Sequence, residues 1–380
     1  MKQLLFISTM NGAPWGGSEV FWYTMALWMK QQGHDVSCCF YDWPHGKTEK
    51  METLAASGCK LHLLPNPKTA RNYVYKLLRK TAVKKKLYRL LQQDFDFVCI
   101  SQGGLLDVTY LPYKRILPYL RKFILVYHNY NEFQALSLTR KRSFYKWASA
   151  ASQNLVAAEK MLPVIKKSAG FTLPNPHVLI NPVTIPARAQ PFAWPSLNET
   201  GNYQWVCMGQ LEIERKAQDI LIKTLAAEKW QLRNWQLSIF GEGPDKQFLS
   251  DLITEKLLSH KIFLKGHTSN VEAALSGAHL LLHVSHLDAM PLVILEAMNM
   301  ARPCVVSDVG DMPLWIQDGK QGYVVPVVTE SMIDQVLERA WNERDKWQQM
   351  GMEAFSIFRQ KYPQPYESHY ENYFNSIMTQ

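Results

Sequence analysis

The sequence lacks the features that are typical of secreted proteins, membrane-spanning proteins and proteins with structural metal sites. Only six of its 380 residues are cysteine, and no two of them form a C-x-x-C pair. Neither a disulfide framework nor a structural zinc site is therefore expected. No apolar run reaches the roughly 18 residues that a membrane-spanning helix needs. The apolar stretch at residues 4–7 is also short, which favours a buried first strand over a signal peptide, and a cytoplasmic protein over a secreted one.

Charge is unevenly distributed along the chain. Residues 1–180 hold 25 basic and 10 acidic side chains, whereas residues 181–380 hold 17 and 23. With 47% hydrophobic residues, the composition is that of a folded globular protein. The length and the charge asymmetry together indicate two domains with different partners.

Two basic segments lie in the first half. The stretch from Arg71 to Arg89 contains eight basic residues, no acid, and leucines at roughly helical spacing, which is typical of a basic amphipathic helix. A second cluster runs from Arg140 to Lys146 and includes aromatic residues. A solvated helix face and a contact with an anionic surface both explain these segments. Among such surfaces the aromatic residues favour the inner face of the plasma membrane, and no nucleic-acid-binding motif is present.

Short apolar segments alternate with helical segments along the whole chain. The segments with strand character are residues 4–7, 36–41, 61–64, 97–101, 124–128, 155–157, 178–180, 205–208, 237–240, 262–264, 280–284, 304–307 and 323–325. This alternation predicts the α/β class with parallel sheets covered on both faces.

A proline-rich stretch interrupts the alternation and divides the chain. We expect an N-terminal Rossmann-like domain over residues 1–187, a linker over 188–202, a second Rossmann-like domain over 203–355 and a helical tail over 356–380. Whether the tail returns to the first domain is left open. Two such domains would face each other across a cleft and hold a ligand at the carboxyl ends of their strands.

Glycine turns follow two of the predicted strands. Gly16 and Gly17 follow the first strand and precede a helix, and Gly241-Glu242-Gly243 follows the strand at 237–240. Glycine lets the backbone approach a ligand closely, and a helix N terminus presents N–H groups to an anion. Plain tight turns explain both motifs equally well.

Charged side chains also follow the strands of the second half. Lys216 lies at the start of a predicted helix, where its ammonium group is suited to a diphosphate; a surface lysine is the alternative. Asp288 and Glu296 lie eight positions apart, and Pro291 between them suits a first helical position. Read alone, Glu296 is also compatible with an ordinary helix glutamate.

The helix that follows Pro291 is predicted to bind a phosphate. Its first N–H groups, near Met290, Leu292 and Val293, are the donors. Glu296 lies about five residues further along, or ~7.5 Å at 1.5 Å per residue. That is about the span from a diphosphate to a ribose. A carboxylate can accept hydrogen bonds from the ribose hydroxyls.

Two further motifs concern catalysis and metal binding. His128 closes the strand at 124–128, where it would face the cleft, although a buried structural histidine fits too. Asp94-Phe95-Asp96 has the spacing of a metal-binding D-x-D, but it precedes a strand, so we interpret it as a turn and expect no metal site.

Taken together, these motifs resemble glycosyltransferase family 4, whose members are retaining enzymes of the GT-B fold that use nucleotide-diphosphate sugars. The resemblance covers about residues 1–330. It rests on Gly16-Gly17-Ser18-Glu19, Gln32-Gly33-His34-Asp35-Val36, Asn181-Pro182-Val183, Gly209 to Lys216, Gly241-x-Gly243-Pro244 and Asp288-x7-Glu296-Ala297-Met298.

The resemblance implies a role for each matching residue. Lys216 would hold the donor diphosphate and Glu296 the ribose, Asp288 would lie near the donor sugar, and His128 would lie near the transferred sugar. Gly16 and Gly17 would line the donor side of the cleft.

The chain departs from the family in two places. Gln210 stands where the family usually has the arginine that serves as second diphosphate cation, and Arg215 is the candidate substitute. The first acid is Asp288, where glutamate is commoner. We select His267 as the candidate residue in the wall of the donor site that contacts the nucleotide base.

The function implied is transfer of a sugar from a UDP- or GDP-linked donor, with retention and without a metal, to a hydroxyl of a lipid-linked or polysaccharide-type acceptor, including lipopolysaccharide. The alternative is a GT-B-fold sugar-nucleotide epimerase or a nucleotide-sugar-binding protein without catalysis.

Overall fold

The computed structural model describes residues 1–12, 15–43, 48–69, 73–110, 112–129 and 135–379. The chain divides into two compact units, one made of Met1–Pro182 and Pro363–Gln380 and the other of Val183–Tyr362. Each unit contains one parallel sheet, so the expected α/β class with two Rossmann-like domains is confirmed. Arg71, the first residue of the predicted basic helix, lies outside the described residues.

Thirteen strands are formed by the described residues. They are β1 (Gln3–Ser8), β2 (Asp35–Asp42), β3 (Lys60–Pro65), β4 (Phe97–Gln102), β5 (Phe123–Tyr127), β6 (Gln153–Val156), β7 (Pro176–Val178), β8 (Tyr203–Met208), β9 (Trp235–Phe240), β10 (Ile262–Gly266), β11 (Leu280–His283), β12 (Cys304–Ser307) and β13 (Gly322–Val325). The first sheet has the order β3-β2-β1-β4-β5-β6-β7 and the second the order β10-β9-β8-β11-β12-β13.

Helices connect the strands, as parallel pairing requires. They are α1 (Gly17–Gln31), α2 (Glu49–Ala56), α3 (Tyr73–Leu90), α4 (Leu138–Ala150), α5 (Met161–Ala169), α6 (Ile213–Lys216), α7 (Gln218–Leu225), α8 (Glu228–Gln231), α9 (Lys246–Glu255), α10 (Val271–Ser276), α11 (Leu292–Asn299), α12 (Met312–Trp315), α13 (Glu330–Asn342), α14 (Trp347–Lys361) and α15 (Tyr366–Thr379).

The second unit has a core rich in tryptophan. Trp205 on β8 and Trp235 on β9 are fully buried, and their rings stack with centroids 5.0 Å apart and planes 6° apart. Large aromatic side chains contribute a great deal of buried apolar area. The two tryptophans fix β8 and β9 against each other. The glycine loops that follow these strands are therefore held side by side.

The expected linker at 188–202 is part of the second unit. The backbone N–H of Arg188 donates to Asn299 Oδ1 at 2.9 Å, and the fully buried guanidinium of Arg302 donates to the carbonyl of Ala193 at 2.7 Å. A buried charge must have its hydrogen bonds satisfied, so these contacts hold the segment against α11. The boundary between the units is therefore at Pro182 and Val183, not at residue 187.

The C-terminal tail starts later than residue 356. Helix α14 belongs to the second unit, and only the segment from Pro363 is grouped with the first. There α15 packs on α1, with the rings of Tyr370 and Phe21 5.3 Å apart, and the Tyr370 hydroxyl accepts a hydrogen bond from the N–H of Ile180 at 3.0 Å. Pro363 and Pro365 separate α14 from α15 because neither can continue a helix.

Among the described residues, none of the helices is both long enough and apolar enough to cross a membrane.

Candidate functional site

Two glycine loops lie side by side where β8 and β9 end. The N–H of Leu211 donates to the carbonyl of Glu242 at 3.1 Å. A Cβ atom on Gly241 would lie 1.9 Å from the carbonyl oxygen of Gly209, and one on Gly243 would lie 2.2 Å from that of Leu211. Only glycine allows this approach. The close packing explains both glycines within the fold, whether or not a ligand also approaches them.

Lys216 and Asp288, which are 72 positions apart in sequence, form an ion pair. The side chain of each is 14% exposed. Burial alone would raise the pKa of Asp288, but the adjacent Lys216 ammonium and a hydrogen bond from His283 hold it well below its usual range. The carboxylate is therefore ionised at neutral pH, and the pair presents a cation and an anion at the carboxyl ends of β8 and β11.

Lys216 lies at the end of a helix, not at the start as the sequence indicated. It is the last residue of α6, and Ala217, with φ of +49°, separates α6 from α7. A left-handed residue ends the helix and turns the chain. The lysine side chain consequently leaves from a short helical turn next to the strand end.

The backbone also joins the loop of Lys216 to the loop of Asp288. The carbonyl of Arg215 accepts hydrogen bonds from the N–H groups of His286 at 2.8 Å and Leu287 at 3.2 Å. The Arg215 guanidinium itself lies 3.4 Å from Glu212, and its Nε–H is buried with no partner among the described residues. This free donor is compatible with the expected substitute role of Arg215.

Helix α11 starts one residue later than expected. Pro291 is the N-cap, with extended backbone angles, and Leu292 is the first helical residue. Within the part of the chain that the structure describes, no side chain caps this end, so the first N–H groups, including those of Leu292 and Val293, have no capping side chain there. Met290 is half-buried just ahead of them. The N–H groups of Leu292 and Val293 thus lie in the first turn of α11, whereas Met290 precedes the N-cap.

Glu296 is 3% exposed and is held by a residue that the sequence did not single out. Its Oε1 accepts hydrogen bonds from the N–H of Thr184 at 2.9 Å and from the Thr184 hydroxyl. Burial raises the pKa of Glu296, and the two hydrogen bonds from Thr184 oppose this rise. Thr184 directly follows the Asn181-Pro182-Val183 motif in the sequence.

Three other predicted residues are exposed. Gln210 is exposed, and its carbonyl accepts a hydrogen bond from Gln218 at 2.8 Å. Glu242 forms an ion pair with Lys246 at 2.9 Å. His267 is exposed directly after β10. Their side chains lie near the strand ends, and none of them contacts the Lys216–Asp288 pair in the contacts that the structure describes.

In the first unit, His128 is linked through Ser101 to the first turn of helix α1, where Gly16 and Gly17 lie. His128 follows β5, and its Nε2 lies 3.0 Å from the hydroxyl oxygen of Ser101, whose hydroxyl donates to the carbonyl of Ser18 at 3.2 Å. Burial lowers the pKa of His128 to about 3, and Nδ1 is buried without a partner among the described residues. The ring is therefore neutral at physiological pH.

Gly16 and Gly17 begin helix α1. Gly16 is its N-cap, and no side chain among the described residues caps this end. Inside the first turn, Glu19 is 4% exposed and accepts a hydrogen bond from Trp22 Nε1 at 2.7 Å. Burial raises the pKa of Glu19 to about 7, against hydrogen bonds from Ser8, Trp22 and Ser18 that lower it.

The predicted residues thus form two groups, one in each unit. Lys216, Asp288, Glu296 and the glycine loops belong to the second unit, and His128, Gly16 and Gly17 belong to the first. Two residues of the second group were missed. His283 ends an apolar strand, where a polar residue is informative, and Thr184 follows a motif that was recognised.

Curated relatives match part of the chain. A poly(ribitol-phosphate) alpha-N-acetylglucosaminyltransferase of Staphylococcus aureus is 32% identical over 107 residues, 28% of this chain and 22% of that protein. A poly(glycerol-phosphate) alpha-glucosyltransferase of Bacillus subtilis is 28% identical over 152 residues, 40% and 21% of the two chains. The matched segments thus span about a fifth of the length of these relatives.

Solved structures resemble the chain over its full length. Sucrose-phosphate synthase from Thermosynechococcus elongatus superimposes with a TM-score of 0.78 at 14% identity, covering 100% of both chains. HepE from Anabaena, in complex with UDP and glucose, gives 0.74 at 15% identity, covering 99% of this chain and 100% of that one. At these identities the likeness concerns the fold, which is GT-B. Within that fold, residues 191–356 match the family described as glycosyl transferases, group 1.

Proposed function

We propose that this protein is a retaining glycosyltransferase of family 4, which transfers a hexose-type sugar from a UDP- or GDP-linked donor to a hydroxyl group of a glycan. The observation that carries the proposal is the Lys216–Asp288 pair at the carboxyl ends of β8 and β11. It joins two motifs that the sequence places 72 positions apart, inside the segment that matches the group 1 family.

The second unit offers complementary groups to each part of a nucleotide-sugar. The Lys216 ammonium and the uncapped start of α11 suit the diphosphate, and the Glu296 carboxylate suits the ribose hydroxyls. Arg215, with its free Nε–H, is the candidate second cation in place of the arginine that Gln210 replaces. His267 is the candidate for the wall beside the base.

The chemistry proposed is a same-face displacement. The bond between the anomeric carbon and the phosphate oxygen breaks, and its electron pair stays on the leaving diphosphate. The acceptor oxygen bonds to the anomeric carbon on the same face, and its proton passes to the departing phosphate oxygen. Lys216 and the α11 N terminus stabilise the charge that develops there, without a metal ion. Asp288 and His128 are the candidate residues near the transferred sugar, and the imidazole of His128 is neutral.

The relatives and the charge of the first unit support a proposal for the class of the sugar acceptor. The two curated relatives are named for transfer to poly(ribitol-phosphate) and poly(glycerol-phosphate), and we propose a polymeric or lipid-linked glycan, including lipopolysaccharide, as the acceptor here. The basic segments of the first unit favour a cytoplasmic protein that associates with the inner face of the plasma membrane. Because the relatives are transferases, an epimerase is the less favoured alternative.

Calorimetry with UDP and with GDP tests the donor site directly. We expect one of them to bind to the wild type and the Lys216→Ala variant to bind it at least about tenfold more weakly, since a charge-assisted hydrogen bond is lost. Lys223→Ala is the matched control, because Lys223 forms an ion pair with Asp219 at 2.9 Å on the neighbouring helix α7. Equal affinity in all three proteins, or no binding of either nucleotide, would refute the assignment.

Transfer is tested with a panel of nucleotide-sugars and the anomeric configuration of the product. Retention is expected, and Lys216→Ala and Glu296→Ala are expected to abolish transfer. Donor incubated without acceptor distinguishes the alternative, because an epimerase would convert it and a transferase would not.

A further inference from the structure

Helices α3 and α4, which contain the described residues of the two basic segments, lie on the same face of the first unit's sheet. From β1 the chain moves to β2 and β3 in one direction, and from β3 to β4 and on to β7 in the other. Because crossover connections between parallel strands are right-handed, helices on these two paths cover opposite faces. Helices α3, α4 and α5 therefore share one face, here called the basic face, and α1 and α2 share the other with α15, which packs on α1.

Side-chain contacts connect the elements of the basic face. The rings of Tyr88 on α3 and Tyr119 lie 5.1 Å apart, and the guanidinium of Arg140 on α4 lies 5.1 Å from the ring of Tyr110. Tyr110 and Tyr119 both belong to the connection between β4 and β5. Residues of the connection between β4 and β5 thus contact both α3 and α4.

Charge is segregated between the two faces. The three helices of the basic face contain thirteen Lys and Arg residues, seven in α3, four in α4 and two in α5, and no Asp or Glu. The three helices of the opposite face contain two basic and five acidic residues. Within the described residues, none of the thirteen forms an ion pair with a carboxylate. This asymmetry of the helices favours a positive potential at the basic face.

Large apolar side chains are exposed on the same face. On α3, Val83 and Leu87 are fully buried towards the sheet, whereas Leu77 and Leu78 are 56% and 59% exposed. Lys84 and Lys85 follow Leu77 and Leu78 by seven positions each, which is about two helical turns along the same side of α3. On α4, Leu138 and Tyr145 are 73% and 53% exposed beside its basic cluster. A face of this kind combines apolar anchors with basic neighbours.

We propose that the basic face docks on a lipid bilayer that contains anionic headgroups, with Leu77, Leu78, Leu138 and Tyr145 entering the interfacial layer. The excess of thirteen basic side chains is complementary to anionic lipid. A soluble polyanion would satisfy the charges but would leave the exposed leucines without a partner, and the leucines favour the bilayer for this reason. The inference gives the proposed transferase a defined orientation at the membrane, and in that respect it rests on the proposed function.

Vesicle flotation of the full chain tests the docking. Vesicles of phosphatidylglycerol with phosphatidylcholine are compared with vesicles of phosphatidylcholine alone. We expect binding to the anionic vesicles only. Leu77→Ser with Leu78→Ser, and separately Lys84→Glu with Lys85→Glu, should each lower the partition coefficient at least about fivefold, because each removes one of the two contributions. Binding should also weaken at about 0.5 M salt, where screening shortens the range of the charges to under ~5 Å.

Matched variants in the second unit are the control. Leu232 and Leu257 are 77% and 74% exposed, so changing both to Ser removes as much exposed apolar surface, and Lys265→Glu with Lys320→Glu makes the same charge change. Neither control should alter flotation. Calorimetry with UDP or GDP on the same proteins separates a failure of docking from a failure of the proposed function, since the docking variants should keep their nucleotide affinity.

Three results would overturn the inference: no binding to anionic vesicles, equal loss of binding in the control variants, or unchanged flotation after the leucine substitutions. In the last case, competition by soluble polyphosphate as strong as by vesicles would assign the basic face to a polyanion instead.

Discussion

The imidazole Nε2 of His283 lies 3.0 Å from Oδ2 of Asp288, the same oxygen that contacts the Lys216 ammonium. Burial lowers the pKa of His283, although Asp288 opposes this shift. A neutral ring that bonds an ionised carboxylate must donate its Nε2–H. If the lysine turns to a bound diphosphate, His283 is the partner that still holds the carboxylate among the contacts of the described residues, which makes it a positioning residue.

For His283→Ala we expect kcat to fall about tenfold, because Asp288 loses the donor that orients it once the donor sugar is bound. His283→Gln carries an N–H donor near the position of Nε2 and should recover part of the loss. The affinity for UDP or GDP should change by less than about threefold, since neither group contacts the nucleotide in the proposed mode.

Steady-state kinetics measures kcat of the two variants, and calorimetry on the same proteins measures their affinity for the nucleotide. A merely structural role predicts that the alanine and glutamine variants lose kcat and nucleotide affinity together with the melting temperature. That pattern, or full activity in His283→Ala, would contradict the positioning role.

Thr184 should control nucleotide affinity through Glu296. Thr184→Val keeps the shape of the side chain but removes the hydroxyl that donates to Glu296. Loss of one hydrogen bond worth about 1 kcal/mol corresponds to roughly fivefold weaker binding. Thr184→Ser keeps the hydroxyl and should bind the nucleotide like the wild type. Isothermal titration of the three proteins decides the question, and equal affinities would mean that Thr184 does not position Glu296.

The strand pattern was predictable because it depends on local composition. All thirteen predicted segments overlap an observed strand, and the segment 304–307 matches β12 at both ends. Parallel strands buried on both faces are continuous apolar runs, which are readable from the sequence. The largest displacement is at β7, which was expected at 178–180 and is observed at Pro176–Val178. This strand lies at the sheet edge and is partly exposed, so burial imposes little pattern on it.

The candidate site was predictable mainly where polar side chains lie in the segments that follow strands. Lys216 and Asp288 were recognised for this reason, and the structure brings them into contact. His283 is the last residue of β11 and was overlooked as part of an apolar run. Thr184 was not accessible to pattern reasoning, because its contact with Glu296 spans 112 positions and depends on how residues 183–194 pack against α11.

The glycine loops of the second unit should be intolerant of a side chain. In Gly241→Ala the new Cβ would lie 1.9 Å from the carbonyl oxygen of Gly209, and the φ of +151° is unfavourable for alanine. Backbone would have to move at the end of β9, so we expect a loss of about 2–4 kcal/mol in the free energy of unfolding. Gly277→Ala is the control, because nothing lies within 4 Å of its Cβ position. Urea unfolding of both variants measures the difference, and similar midpoints would show that the loops can relax.

Glu19 should make the first unit less stable as the pH rises. Its pKa is raised by burial from 4.5 to about 7, so between these values the folded state holds a proton that the unfolded state has released. The favourable contribution of the protonated carboxyl is complete below pH 4.5 and is lost as the pH rises through 7. A shift of this size corresponds to at most about 3 kcal/mol.

Glu19→Gln keeps an acceptor for Trp22 but cannot ionise. The variant should therefore melt several degrees above the wild type at about pH 8 and close to it at about pH 5. Glu52→Gln changes an exposed carboxylate on α2 and should leave the difference between the two pH values unchanged. Thermal unfolding followed by circular dichroism gives all of these values. A Glu19→Gln variant that is stabilised equally at both pH values would show that the buried carboxyl does not titrate in this range.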